Sequence, residues 1–305
     1  MLVFTHSACL QHDPGVGHPE HPGRLQTVIA AVESLAIKVR EAPRATRAQL
    51  ARAHTQQLID QVQAASQRAP TRIDADTAMS EKSLEAAERA AGSGIAALDA
   101  VLKGETRRAF CAVRPPGHHA TRERAMGFCL FNSIAVLTHE ALQRGFSKIA
   151  VIDFDVHHGN GTQDIFWQEP RVLYVSSHQS PLYPGTGMAK ETGANSNVCN
   201  APLATGTGSQ AFRAVWREQL LPAIDAFEPE LLLLSAGFDA HYLDPLAGLE
   251  LHEADFAWLT EQLVDLADRH ARGRIISMLE GGYSLQALKL CTLAHLRALQ
   301  GSVNP

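Results

Sequence analysis

Cysteine is scarce in this chain, with five among 305 residues. Cys9, Cys111, Cys129, Cys199 and Cys291 are scattered, and no CxxC pair occurs. Their spacing argues against a thiolate zinc site and against a disulfide framework. Long apolar runs are missing too, and none approaches the roughly 18 to 20 residues of a membrane span. The start, Met1-Leu2-Val3-Phe4-Thr5-His6, has neither the basic opening nor the apolar stretch of a signal peptide. A cytoplasmic protein without a membrane partner is therefore expected. There is no basic excess: the net charge of -5 argues against a general nucleic-acid binder. Internal repeats, low-complexity tracts and Ser/Pro linkers are also absent, so residues 1–305 read as one domain. Hydrophobic content of 45% and charged content of 19% fit a soluble globular chain with a sizeable core.

Histidine, by contrast, is plentiful at 15, and several stand beside Asp or Gly. That placement leans toward metal or acid-base chemistry. Short apolar runs alternate with helical periodicity. Strands are expected at Met1–Thr5, Phe110–Val113, Ile149–Phe154, Val172–Ser176, Leu231–Ser235 and Ile275–Leu279. Helices are expected at Leu25–Val39, Leu84–Leu102, Ser133–Gln143, Gln210–Phe227, Ala254–His270 and Leu285–Leu299. The alternation predicts an α/β protein, a three-layer α/β/α sandwich with a central, mainly parallel sheet. Four of the strands run into polar, glycine-rich loops: Arg114 to His119, Asp153 to Gly161, Ser235 to Asp239, and Leu279 to Tyr283. Open parallel sheets bind ligands outside the carboxyl ends of their strands, so these loops should share one edge.

Asp153-Phe154-Asp155-Val156-His157-His158-Gly159-Asn160-Gly161 is the most loaded of the four. Buried carboxylates must be paired, hydrogen-bonded or bound to a cation. Alternation along an extended backbone puts Asp153, Asp155 and His157 on one side. Asp155 and His157 can then aim one oxygen and one nitrogen at a single metal. A catalytic zinc site typically needs a third ligand, and Asp239, after the four-leucine strand, is the best candidate. Two Asp and one His suit Zn(II), and Fe(II) or Co(II) could also bind. His118-His119 offers imidazoles for proton transfer, with Asp153 and Asn160 as natural partners. Tyr283, after Gly281-Gly282, can supply a hydroxyl to an oxyanion.

Taken together and in this order, the motifs resemble those of the zinc-dependent histone deacetylase family, which shares a fold with arginase. The matching segments are Arg114-Pro-Pro-Gly-His118-His119, Gly127-Phe128-Cys129-Leu130-Phe131-Asn132, Asp153-Phe-Asp155-Val-His157-His158-Gly-Asn160-Gly-Thr162, Ser235-Ala-Gly-Phe-Asp239 and Leu279-Glu-Gly-Gly-Tyr283. The similarity runs from about His18 to the C-terminus. It implies zinc on Asp155, His157 and Asp239, proton handling by His118 and His119, and carbonyl polarisation by Tyr283. It implies a narrow tunnel for an acyl-lysine side chain, lined by Gly127, Phe128 and Tyr183, with His18-Pro19 at its rim and Gly281 also among the substrate-binding residues. A monovalent cation, usually potassium, would lie behind the zinc. Its ligands would be Asp153, the carbonyls of Asp155, His157 and Ser177, and the Ser176 hydroxyl. Asn160 stands where class I members carry an aspartate, which looks like class II. An amide there should raise the pKa of His119 less than a carboxylate would. Leu246 falls at the family's gatekeeper position, where leucine favours the apolar stem of an acylated lysine over a cationic polyamine.

The expected activity is hydrolysis of an acyl-lysine amide in a peptide or protein by metal-activated water. One rival is a deacetylase of acetylated polyamines or other small acetylated amines. Another is a non-catalytic, zinc-dependent acyl-lysine binder, against which His118, His119 and Tyr283 speak. A binuclear manganese ureohydrolase would need further carboxylates where Gly159-Asn160 and Ala240-His241 stand. The division of labour between His118 and His119 is open at this level, as is homo-oligomer formation.

Overall fold

A computed structural model describes residues 1–301. Its strands are β1 (Leu2–Thr5), β2 (Lys38–Glu41), β3 (Thr71–Arg72), β4 (Ala78–Met79), β5 (Arg108–Cys111), β6 (Ile149–Asp153), β7 (Val172–Gln179), β8 (Val198–Leu203), β9 (Leu231–Ala236) and β10 (Ile275–Leu279). Eight of them form one sheet in the order β2-β1-β5-β10-β9-β6-β7-β8. Every neighbouring pair in it is parallel. β3 and β4 form a separate antiparallel pair. The central strands β6, β9 and β10 are buried along their whole length, which explains their continuous apolar runs. Helices Ser83–Leu102 and Ser133–Gln143 pack together on the sheet. Glu253–His270, Leu285–Gln300 and Gly23–Ser34 form the second helical layer. The α/β/α sandwich is thus present, with a sheet that is parallel throughout. Among the described residues, no helix is long and apolar enough to cross a membrane.

Several boundaries differ from expectation. The helix expected over Leu25–Val39 ends at Ser34, and the chain turns through Ala36 (φ 51°) into β2. β2 carries no apolar run because it is an edge strand, with Lys38, Val39 and Glu41 exposed. The opposite edge, β8, accommodates Pro202, as edge strands do. The helix expected over Gln210–Phe227 contains a wide turn at Trp216–Leu220. Pro222 follows it and has no amide for the carbonyl four residues back. Short helices at Arg47–Ala53, Gln56–Ser66 and Asn160–Phe166 were not expected.

Some of the histidines belong to the core rather than to chemistry. His54 donates from Nδ1 to the Thr121 carbonyl (2.9 Å) and accepts the Asn132 amide at Nε2 (2.8 Å). His295 lies between the hydroxyls of Thr260 (2.7 Å) and Ser277 (2.9 Å). Burial pushes His54 down to about 4 and His295 down to about 3. Both fall below the ordinary 6.5, so the unfolded chain binds more protons than the folded one in the interval between. Stability is therefore complete above about pH 6.5 and declines as pH falls toward the folded values. Each imidazole should cost about 2 kcal/mol by pH 5. Thermal unfolding at pH 7, 6 and 5 checks this; a constant melting temperature would contradict it.

Candidate active site

The four loaded loops leave β5, β10, β9 and β6, which are adjacent in the sheet. Parallel pairing puts their carboxyl ends on one edge, although up to 165 residues separate the loops. The chain leaves β6 after Asp153 and curls: the Asp155 amide donates to Asp153 Oδ1 (3.2 Å) and the His157 amide to Asp155 Oδ1 (2.9 Å). Strand alternation is therefore not what gathers these side chains. Asp153 turns to His118, while Asp155 and His157 turn to Asp239. His157 Nδ1 lies 3.1 Å from both Asp155 Oδ1 and Asp239 Oδ2. One donor atom from each of Asp155, His157 and Asp239 lies within 4.8 Å of the others. The Val156 amide holds Asp239 Oδ1 (2.9 Å), and the Gly281 amide holds Asp155 Oδ2 (2.8 Å).

The two carboxylates are fully buried and close, so a positive partner is required. Burial, then the charge of Asp155, pushes Asp239 up to about 7. A divalent cation among these three side chains would offset both penalties. Glycine is needed alongside them. A Cβ on Gly281 would collide with the carboxylates of Asp239 and Asp155, and one on Gly237 would collide with Asp155. Gly281→Ala is accordingly expected to lower kcat/KM about a hundredfold by displacing those oxygens. Steady-state assay of the folded variant checks this, and wild-type kinetics would refute it.

His118 and His119 are in different settings. His118 Nδ1 donates to Asp153 Oδ2 (3.0 Å), and its Nε2 lies 3.9 Å from Asp155 Oδ1. Burial opposes its charge, but Asp153, Asp155 and Glu280 outweigh burial and hold it well above the ordinary imidazole value. His119 Nδ1 donates to Asn160 Oδ1 (2.9 Å). Burial, then the neighbouring His118 and His157, keeps it well below that value. A neutral His119 with its Nδ1 proton committed to Asn160 has an Nε2 lone pair to offer.

His119 and His157 line a cavity of about 230 Å³, together with Asp76, Gly127, Phe128, Leu182, Tyr183, Leu246 and Tyr283. Phe128 has a left-handed backbone (φ 66°), unusual for a bulky residue. The Gly127 amide, bonded to Asp76 Oδ1 (3.1 Å), and the Phe128 amide, bonded to Thr77 Oγ1 (3.3 Å), hold it there. Tyr283 is fixed by its amide on Asp244 Oδ2 (2.7 Å), and the Arg24 guanidinium lies 4.8 Å from its ring centroid. Asp244 also accepts the Leu246 amide (3.0 Å), tying the gatekeeper loop to the tyrosine loop.

Not every candidate lines this cavity. Gly281, a substrate-binding candidate, is buried, with its amide on Asp155. His18 packs its ring edge on Phe128 (4.7 Å between centroids). His18 and Pro19 line a neighbouring cavity of about 470 Å³ that shares Tyr283. Ser176 and Ser177 lie on β7, where Ser176 is opposite Asp153. His241, His252 and Glu253 form a second cluster of possible ligands. There, however, His241 Nδ1 accepts the Leu243 amide (3.2 Å), so its Nε2 carries the proton and faces Glu253 (3.5 Å). It reads as a structural contact between an imidazole N–H and a carboxylate.

Sequence reasoning missed the buried supports. Glu20 pairs with Arg24 (3.0 Å), with Arg114 and with His12 (3.2 Å). Arg24 in turn donates to the carbonyls of Gly282 (2.6 Å) and Glu280 (2.5 Å). Glu280 receives the amides of Gly117 (2.7 Å) and His118 (3.2 Å) and the Ser235 hydroxyl (3.1 Å). It links three of the four loops. Its only local signal was a carboxylate at the end of an apolar strand.

A cluster of carboxylates, imidazoles and a phenol at the carboxyl edge of a parallel sheet defines the class: an α/β/α protein carrying the side chains of hydrolytic chemistry. The histone deacetylase domain pattern matches residues 18–299. A probable deacetylase of Archaeoglobus fulgidus is 36% identical over 310 residues, covering 98% of this chain and 86% of that protein. A histone deacetylase-like amidohydrolase of Pseudomonas aeruginosa is 38% identical over 310 residues, covering 98% of this chain and 81% of its own. The crystal structure of the HDA15 HD domain matches with a TM-score of 0.94 at 34% identity, covering 100% of this chain and 89% of that one. The chain belongs to the histone deacetylase family.

Proposed function

We propose that this protein is a zinc-dependent amidohydrolase that removes acetyl or related acyl groups from the side-chain amine of acyl-lysine. The observation that carries the proposal is the meeting of Asp155, His157 and Asp239 beside His119 and Tyr283 at one cavity. A divalent ion held by the three ligands would polarise the scissile carbonyl and lower the pKa of a bound water. His119 Nε2 takes a proton from the attacking water and passes one to the departing amine. Its Nδ1–H stays on Asn160, which keeps the ring oriented. His118, charged against Asp153, stabilises negative charge from behind. The Tyr283 hydroxyl donates to the oxygen on which charge develops. Phe128, Leu182, Tyr183 and Leu246 enclose the alkyl stem, an apolar lining that suits a neutral acyl-lysine.

Potassium is proposed beside Asp153, with the carbonyls of Asp155, His157 and Ser177 and the Ser176 hydroxyl. The hydroxyl fits this role. His178 Nε2 donates to the Gly187 carbonyl (2.9 Å), so its Nδ1 accepts the Ser176 proton (2.9 Å). The lone pairs of Ser176 Oγ are left for a cation. A side-by-side assay of acetyl-lysine peptides and acetylated polyamines tests the substrate class. Faster turnover of the peptide is expected; a preference for the polyamine would replace this reading with the small-amine one.

A further inference from the structure

The loop from Ser180 to Glu191 carries Leu182 and Tyr183, two walls of the acyl cavity. Two buried imidazoles underlie it. His178 donates from Nε2 to the Gly187 carbonyl (2.9 Å). His158 donates from Nε2 to Gln163 Oε1 (3.0 Å), so its Nδ1 accepts the Thr186 hydroxyl (2.7 Å). The two rings are 4.7 Å apart. Gly187 (φ 85°) lies so close that a Cβ there would meet His178 Nε2 at 2.5 Å and His158 Cδ2 at 2.6 Å. Glu191 completes the clamp: it accepts the amides of Gly187 (3.2 Å) and Met188 (3.1 Å) and the Gln163 side chain (2.7 Å). The rest of the loop is largely exposed. Leu182 packs against the core and the Tyr183 ring on His119 (5.0 Å between centroids), while the Thr186–Glu191 half of the loop is held from beneath by these polar contacts.

We infer that His178 and His158 form a latch that positions the Tyr183 loop and thereby sets how tightly the cavity grips the acyl-lysine stem. They are positioning residues and do not touch the reacting atoms. The inference rests on the proposed acyl-lysine substrate only for its kinetic consequence. Freeing the loop should weaken substrate binding while the proton-transfer groups stay in place. KM should therefore rise while kcat changes little.

Lys190 is the only Lys or Arg among residues 172–212, and it is exposed. Trypsin cleavage after Lys190 in the full-length protein therefore reports release of the loop without reference to activity. Wild type, His178→Ala, His178→Gln and Thr186→Val are compared. His178→Ala and Thr186→Val should be cut about tenfold faster than wild type; Thr186→Val should also show a KM for acetyl-lysine peptide about five- to tenfold higher with kcat within about twofold, whereas His178→Ala, which also loses the Ser176 contact, is read by cleavage alone. His178→Gln, which keeps a donor for Gly187, should restore the wild-type cleavage rate most of the way. If His178→Ala does not fold, Thr186→Val decides, because its side chain is on the surface loop. Equal cleavage rates in wild type and Thr186→Val would overturn the inference, as would a loss confined to kcat. If no protein in the series hydrolyses the peptide, the substrate proposal fails, and the cleavage rates still test the latch.

Discussion

Asp239→Asn is expected to abolish stoichiometric zinc retention and lower kcat/KM by at least about a thousandfold, while the protein stays folded. The substitution keeps an acceptor for the Val156 amide, so the loop retains its anchor. What it removes is one of two carboxylates converging with His157. Without its ion, wild type bears burial of the Asp239 charge and repulsion from Asp155, which together push Asp239 up to about 7. The amide relieves that repulsion, so the metal-free variant should melt no lower than metal-free wild type. The contrast appears on adding zinc. Binding at a thousandfold excess over Kd stabilises a protein by about 4 kcal/mol, and only wild type should show such a shift. Metal analysis after dialysis, with melting curves at increasing zinc, checks both parts. Wild-type zinc content in the variant would remove Asp239 from the ligand set.

Tyr283→Phe should lower kcat about a hundred- to a thousandfold with zinc content unchanged. The ring is held by packing on Arg24 and by the backbone bond to Asp244, neither of which involves the hydroxyl. Phenylalanine should therefore occupy the same place. The loss would come from the missing donor to the developing oxyanion, so KM should move much less than kcat. Full turnover by the Phe variant would remove the hydroxyl from the chemistry.

The central strands were legible because burial on both faces leaves a continuous apolar run, as in Leu231–Leu234. Edge strands were not. Lys38–Glu41 is charged, and Val198–Leu203 contains Asn200 and Pro202, so neither carries that signal. The helices at Arg47–Ala53 and Gln56–Ser66 are short and rich in Ala and Gln, which blunts their periodicity. The chemical side chains were readable because each follows directly on an apolar strand. Their local geometry was not, since the chain curls after β6 through a bond from the Asp155 amide to the Asp153 side chain, which no residue spacing records. Glu20, Arg24 and Arg114 were out of reach for a related reason. Glu20 and Arg24 stand four apart, but Arg24 meets a carbonyl 258 residues away and Arg114 reaches Glu20 across 94, and such long-range contacts have no periodicity to read. The close approach of Gly281 to both carboxylates was not legible, because a glycine's role depends on what a Cβ would strike, and that requires coordinates.

Anomalous diffraction at the zinc edge from crystals of the zinc-loaded protein tests the central claim most directly. A single strong peak enclosed by Asp155, His157 and Asp239, open toward His119 and Tyr283, is the predicted result. A peak at His241, His252 and Glu253 with none among the first three would contradict it.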